Sequence, residues 1–249
     1  MTKVKMLQVV IVLSVVAFSY GLVDNGKGMG QQPAKEIAIV ELFTSEGCSS
    51  CPPADNLLSK IAAENKNLYV LSYHVDYWDH LGWKDPFSQS LFTERQGQYA
   101  KRFNLESIYT PQIVVNGAEE FVGSDEKRLR SSLLRSGSLP SIKLDAARKS
   151  AGKIHLSYQL KSTEAVTLYV ALVQPKAVNE IKRGENSGRT LHHVNVVRQL
   201  SSLDAKSAST SLDINIPASL HDKEFEVLLF TQNEKDKRIT AATKAAIPR

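Results

Sequence analysis

A nine-residue apolar run, Glu36 to Thr44 (EIAIVELFT), breaks into a glycine turn, a Cys-x-x-C and two prolines (SEGCSSCPP), then restarts with a different period. The run is rich in β-branched residues and is bounded by Gly47, so it predicts a buried strand. Past the cysteines, Ala54, Leu57, Leu58, Ile61 and Ala62 recur at helical spacing, which predicts an amphipathic helix with Asp55, Lys60 and Glu64 on its solvent side. Leu68 to Val75 (LYVLSYHV) reads as a second buried strand. Two buried strands joined by one helix are most economically a right-handed parallel βαβ unit. The cysteines therefore sit in a strand-to-helix turn.

Cys48 and Cys51 are the only cysteines in 249 residues. A framework of long-range disulfides is excluded, as is a four-cysteine zinc or iron-sulfur site within one chain. With 42% hydrophobic residues the chain can bury a core without such staples, and it is not disordered. A thiol at a helix mouth meets unpaired N–H groups and the positive end of the macrodipole, which favour thiolate. A second thiol three residues on can resolve a mixed disulfide. Two consecutive prolines, Pro52 and Pro53, make Cys51 the expected cap with Pro52 at the first helical position. Glu46 is expected to work against a thiolate at Cys48.

The remaining pattern divides at Ser136 to Ser141 (SGSLPS), a linker by composition. Before it come a polar-aromatic loop (Asp76 to Ser88) and a helix with Leu91, Tyr99, Ala100 and Phe103 as its apolar stripe. A strand at Gln112 to Asn116 follows Thr110-Pro111, and Glu119 to Val122 is its hairpin partner. A last helix runs through Leu134, capped by Ser124 or Asp125, with Leu129, Leu133 and Leu134 facing inward. The order is β-α-β-α-β-β-α. After the linker, seven alternating runs predict antiparallel strands: 142–145, 153–160, 166–173, 192–200, 209–216, 225–231 and 239–245. With no long helix among them, they suggest a β-sandwich.

The first residues read as an address. Lys3 and Lys5 precede an apolar stretch, Met6 to Phe18, and then Ser19, Tyr20 and Gly21, the order of a secretory signal peptide over residues 1–21. If it is not cleaved, it is the one segment that would anchor the chain to a membrane. Residues 22–35 read as a flexible leader. The expected location is exported, periplasmic or secreted, where a lone cysteine pair is a disulfide or a redox couple. The net charge of +5 falls to +3 without residues 1–21, and the signs are interspersed, so no nucleic-acid surface is expected.

Taken together, the strand, the C-x-x-C, the helix and Thr110-Pro111 opening a later strand resemble the thioredoxin superfamily. The resemblance spans residues 36–136, and Cys48, Cys51 and Pro111 match its nucleophile, resolving cysteine and cis-proline. It implies an α/β thioredoxin-like domain over 36–136, followed by an all-β sandwich-like domain over 141–249. The segments LSYHVDYWDHLGWKDPFS, VELFTSEGCSSCPPAD, YTPQIVVNG and RGENSGRTLHHVNVVRQL look more closely like an exported family known only as a domain of unknown function. The residue before Cys48 is Gly47, where thioredoxins carry a tryptophan.

The resulting expectation is a thiol-disulfide oxidoreductase without a cofactor, acting on protein or small-molecule thiols and disulfides. Cys48 and Cys51 carry the chemistry; Thr110 and Pro111 align the substrate backbone. His74, Asp76 and Trp78, together with neighbouring Asp79, His80 and Trp83, are expected to form either a wall of the substrate groove or a cap on the domain interface. Glu41, in the strand leading to Cys48, is the candidate acid-base group. The competing expectation is a client-binding or copper(I)-binding module without turnover, with His74 as the third ligand beside the cysteines. Residues 184–193, rich in Gly, Arg and His, are expected to dock against the cysteine face or bind a partner.

Overall fold

The computed structural model describes residues 38–248 apart from 66, 138 and 206–209; the expected signal segment 1–21 and leader 22–35 lie outside them. The chain runs β1 (Ala38–Thr44), α1 (Pro52–Glu64), β2 (Leu68–His74), α2 (Ser90–Phe103), β3 (Gln112–Val115), β4 (Glu119–Val122) and α3 (Glu126–Ser136). It continues through β5 (Lys143–Ser150), β6 (Lys153–Gln159), β7 (Val166–Glu180), β8 (Thr190–Asp204), β9 (Ser211–Asn215), β10 (Phe225–Asn233) and β11 (Ile239–Ile247). The order of elements follows the hydrophobic periods of the sequence.

Their assembly does not. The expected α/β thioredoxin-like domain followed by a separate sandwich-like domain is overturned, because strands from both halves form one eight-stranded mixed sheet in the order β11-β10-β7-β8-β2-β1-β3-β4. Only β5, β6 and β9 stand apart, as a three-stranded antiparallel sheet. The join is at β2, where Ser72 pairs in parallel with Val196 of β8 and the Ser72 hydroxyl donates to the Val194 carbonyl at 2.7 Å. A free β2 edge would leave a row of unpaired backbone groups, and β8 closes it. The described residues all belong to one compact unit.

The cores explain the cost of separating the halves. On one face of the sheet, Ile39, Phe43, Leu71 and Tyr73 pack with Phe92 and Tyr99 of α2 and with Val173, Val197, Leu228 and Phe230 from the second half. The other face is divided in two: Val40, Leu42 and Val70 pack under α1 and α3, while Leu168, Leu172, Val227 and Leu229 pack under Ile154 and Leu156 of the small sheet. Every residue of β1 and β2 is buried, as expected of central strands covered on both sides.

Three helix faces depart from their patterns. In α2 the buried residues are Phe92, Arg95, Gln96 and Tyr99, and Leu91 is exposed. Arg95 and Gln96 can sit in the buried stripe because each is paired. Arg95 Nε donates to Glu41 Oε1 at 2.6 Å, and Gln96 Nε2 donates to the Tyr109 carbonyl at 2.7 Å. In α3, capped by the Asp125 side chain, Leu129 is buried but Leu134 is 88% exposed. In α1, Asp55 is buried and not on the solvent side.

Candidate functional site: a disulfide turn over a buried charge cluster

Cys48 and Cys51 form a disulfide across the turn between β1 and α1. Both are fully buried, while Ser49 and Ser50 between them are exposed. Cys51 caps α1 with no side-chain cap bond, Pro52 and Pro53 follow, and the N–H groups of Ala54 and Asp55 both donate to the Cys51 carbonyl. The turn is short and local, and its surroundings come from five distant segments.

Glu46, two residues before Cys48, is the most connected of these residues. Its carboxylate accepts the Trp83 indole N–H at 2.9 Å, the Asn179 amide at 2.7 Å and His193 Nε2 at 3.1 Å. Its backbone N–H donates to Asp85 Oδ2 at 2.8 Å. On the helix side, Asp55 accepts the Thr44 hydroxyl at 2.9 Å and His193 Nδ1 at 3.2 Å. Both His193 nitrogens face carboxylate oxygens, so both carry protons. Burial disfavours that charge, but the bonds and charges of Asp55 and Glu46 outweigh it and raise the His193 pKa to about 10.

A second pair lies behind the first. His74 Nδ1 meets Asp85 Oδ2 at 2.6 Å, and the His74 ring stands edge-on to His193 with centroids 4.8 Å apart. Burial pushes the Asp85 carboxyl up, but the charge and hydrogen bond of His74 and the N–H groups of Glu46 and Phe87 bring it below its ordinary value. His74 Nε2 has no hydrogen-bond partner among the described residues. Among the described residues, no group of three or more His, Cys, Asp or Glu side chains is placed to hold a metal ion.

Two more segments close over the turn. A side chain at Gly47 would meet Trp78 Cβ at 3.0 Å, so glycine lets Trp78 lie against the turn, and its indole N–H donates to Thr110 Oγ1 at 2.8 Å. Thr110-Pro111 is a cis peptide. A Cβ at Gly123 would meet both Pro111 Cβ (2.9 Å) and Ala54 Cβ (3.1 Å), which places the proline against the first turn of α1. From the β7–β8 hairpin tip, Asn186 is buried among exposed neighbours and its amide donates to the carbonyls of Glu46 (2.8 Å) and Cys48 (2.9 Å). Beside it, Glu185 Oε2 accepts the Ser49 N–H at 3.1 Å.

A family model described as a protein of unknown function (DUF1223) matches residues 39–232, most of the chain and both halves of the site. The chain belongs to the DUF1223 family. Comparison with curated protein sequences finds no match. The DUF1223 chain is similar in structure to a crystallised protein from Agrobacterium tumefaciens, with 26% identity and a TM-score of 0.61 over 88% of this chain and 96% of that one. It is similar in fold to HBP35 of Porphyromonas gingivalis, with 16% identity and a TM-score of 0.53 over 86% of this chain and 76% of that one. The resemblance to a family of unknown function is therefore shown, and neither the family match nor these likenesses ties DUF1223 to the thioredoxin superfamily.

Of the residues singled out in the DUF1223 sequence, Cys48, Cys51, Thr110, Pro111 and Trp78 come together around the turn. His74 is fully buried and reaches the turn indirectly, through the His193 ring and through Asp85, which accepts the Glu46 N–H. Asp76 accepts the Thr93 hydroxyl at 2.6 Å and faces α2. Glu41 alternates onto the sheet face opposite α1, where Arg95 and the Tyr99 hydroxyl hold it. The residues that sequence reasoning missed are Glu46, Asp55 and His193 as one cluster. The signal for His193 was present: in TLHHVNVV, strand alternation puts His193 on the same side as buried Leu191 and turns His192 outward.

Proposed function

We propose that this chain is an exported thiol-disulfide exchange protein whose redox couple is Cys48–Cys51. The observation that carries the proposal is the setting of the disulfide: a local bridge at a helix N-terminus with exposed Ser49 and Ser50 between its cysteines, flanked in sequence by Glu46 and Asp55, whose carboxylates both meet the buried His193 ring. A bridge spanning so few residues stabilises the fold least, ~2 kcal/mol on the loop-closure estimate against ~4.7 for a hundred-residue loop. Its position at the mouth of α1 is where a thiolate is favoured. A client thiolate attacks the Cys48 sulfur and expels Cys51 as thiolate; a second client thiol then attacks the client sulfur and releases Cys48, leaving the pair reduced and the client oxidised. In the opposite direction Cys48 attacks a client disulfide, expelling one client thiolate, and Cys51 resolves the mixed disulfide by re-forming the bridge and releasing the other. Thr110 and Pro111 border the turn where an extended client backbone would lie. The basic and apolar order of residues 1–21 supports an oxidising compartment.

The test is exchange with a model disulfide. Reduced protein mixed with oxidised glutathione should regain the Cys48–Cys51 bridge, read as loss of two alkylatable thiols by intact mass. A pair that shows no exchange, in either direction, is a structural bridge, and the chain is then a binding module.

A further inference from the structure

Cys51 has helical backbone angles (φ −79°, ψ −39°) and its carbonyl accepts the Asp55 N–H at 3.2 Å. Residues four apart on a helix share a face, so Asp55 lies one turn along α1 on the face that Cys51 begins, and its carboxylate is held there by the Thr44 hydroxyl and His193. From β8, His193 then bridges Asp55 to Glu46, the residue two before Cys48, at 3.2 and 3.1 Å. We infer that His193 and Asp55 are positioning residues of opposite electrostatic effect, which together set the acidity of the thiols formed when the Cys48–Cys51 disulfide opens. The inference deepens the proposed redox function and rests on it.

A dithiol reductant gives two electrons and two protons to the disulfide, leaving two cysteine thiols and an oxidised, cyclised reductant. For the reverse step a thiol of the pair must lose its proton before it can attack a disulfide. A carboxylate one turn away opposes that loss, and an imidazolium facing the carboxylate offsets the opposition. The other charged or titratable groups around this turn are Glu46 before Cys48, His74 against the His193 ring, Asp85 on the Glu46 N–H, and Glu185 on the Ser49 N–H. Arg189 bonds Asn186 at 3.0 Å from the hairpin side. The sole imidazole facing two carboxylates in this group is His193, a residue from the opposite half of the sequence. Neither it nor Asp55 touches solvent appreciably, so bulk water does not screen them.

The experiment titrates the reduced full chain by thiolate absorbance near 240 nm in wild type, His193→Gln and Asp55→Asn, with near-ultraviolet circular dichroism to confirm the native fold. His193→Gln should make the more acidic thiol about tenfold less acidic. Asp55→Asn should make it about tenfold more acidic. A packing defect would move both in one direction, so shifts of the same sign, or none beyond twofold in either variant, overturn the inference. Where His193→Gln does not fold, Asp55→Asn alone decides: increased acidity supports the inference and unchanged or decreased acidity overturns it. A wild-type pair that no dithiol opens in the folded protein overturns this inference together with the redox function. A pair that opens with an acidity indifferent to both variants overturns this inference alone.

Discussion

Removing the His193 charge should cost stability in a defined pH window. In the unfolded chain a histidine titrates near 6.5, whereas the folded site holds His193 at about 10. A raised folded value stabilises the fold fully below pH ~6.5, and that stability is lost as pH rises through 10. The difference of about 3.5 pKa values, at 1.36 kcal/mol each, is on the order of 5 kcal/mol. Between pH 7 and 9.5 the free energy of unfolding should therefore fall by about 1.4 kcal/mol per pH unit from this one group. Urea unfolding followed by the fluorescence of Trp78 and Trp83 at half-unit pH steps measures it. His193→Gln should be less stable at pH 6.5 and nearly flat across the same window. Parallel slopes in wild type and variant would refute the assignment of charge to His193.

Three further outcomes follow from other parts of the molecule. Asn186→Ala removes the amide that ties the hairpin tip to the Glu46 and Cys48 carbonyls, so dithiothreitol should reduce the disulfide several-fold faster, by stopped alkylation, with the fold intact. Arg95→Ala leaves the Glu41 carboxylate buried without its cationic partner, held by the Tyr99 hydroxyl, and should destabilise by about 3–5 kcal/mol in urea, without altering the acidity of the reduced cysteines. Gly123→Ala forces a methyl to 2.9 Å from Pro111 Cβ and 3.1 Å from Ala54 Cβ, and should cost about 1–3 kcal/mol, seen as a lowered denaturation midpoint.

Local order was legible in the sequence because hydrophobic period decides it. Over the described residues, the first strand (Ala38–Thr44) and the helix that begins at Pro52 stand where their spacing puts them, and the seven runs after the linker are strands. Long-range pairing was not legible. The joining of β2 to β8 rests on Ser72 and Val196, 124 positions apart, and no periodicity marks a parallel neighbour at that distance. The alternating runs 166–173 and 192–200 stop short of the strands that contain them: past Pro175 the residues are mostly polar, yet β7 runs on to Glu180 and β8 starts at Thr190. That extension delivers the hairpin tip to the cysteines.

The site shows the same division. The cysteines and Thr110-Pro111 announce themselves by residue type and spacing. Asp55 does not, because a lone carboxylate in an amphipathic helix is normally solvated, and only a partner from another segment makes burial tolerable. Here the partner is His193, 138 residues away. Glu41 was a reasonable acid to suspect from its place in the strand before the cysteines. Strand alternation sends it to the other side of the sheet, where α2 supplies Arg95.

The most direct test of the central claim is a redox titration of the folded wild-type chain against reduced and oxidised dithiothreitol, with thiols trapped by alkylation and counted by intact mass. A single reversible two-electron transition, with native circular dichroism on both sides of the midpoint, is the predicted result. A disulfide that stays closed at every ratio, or that opens only as the protein unfolds, would contradict it.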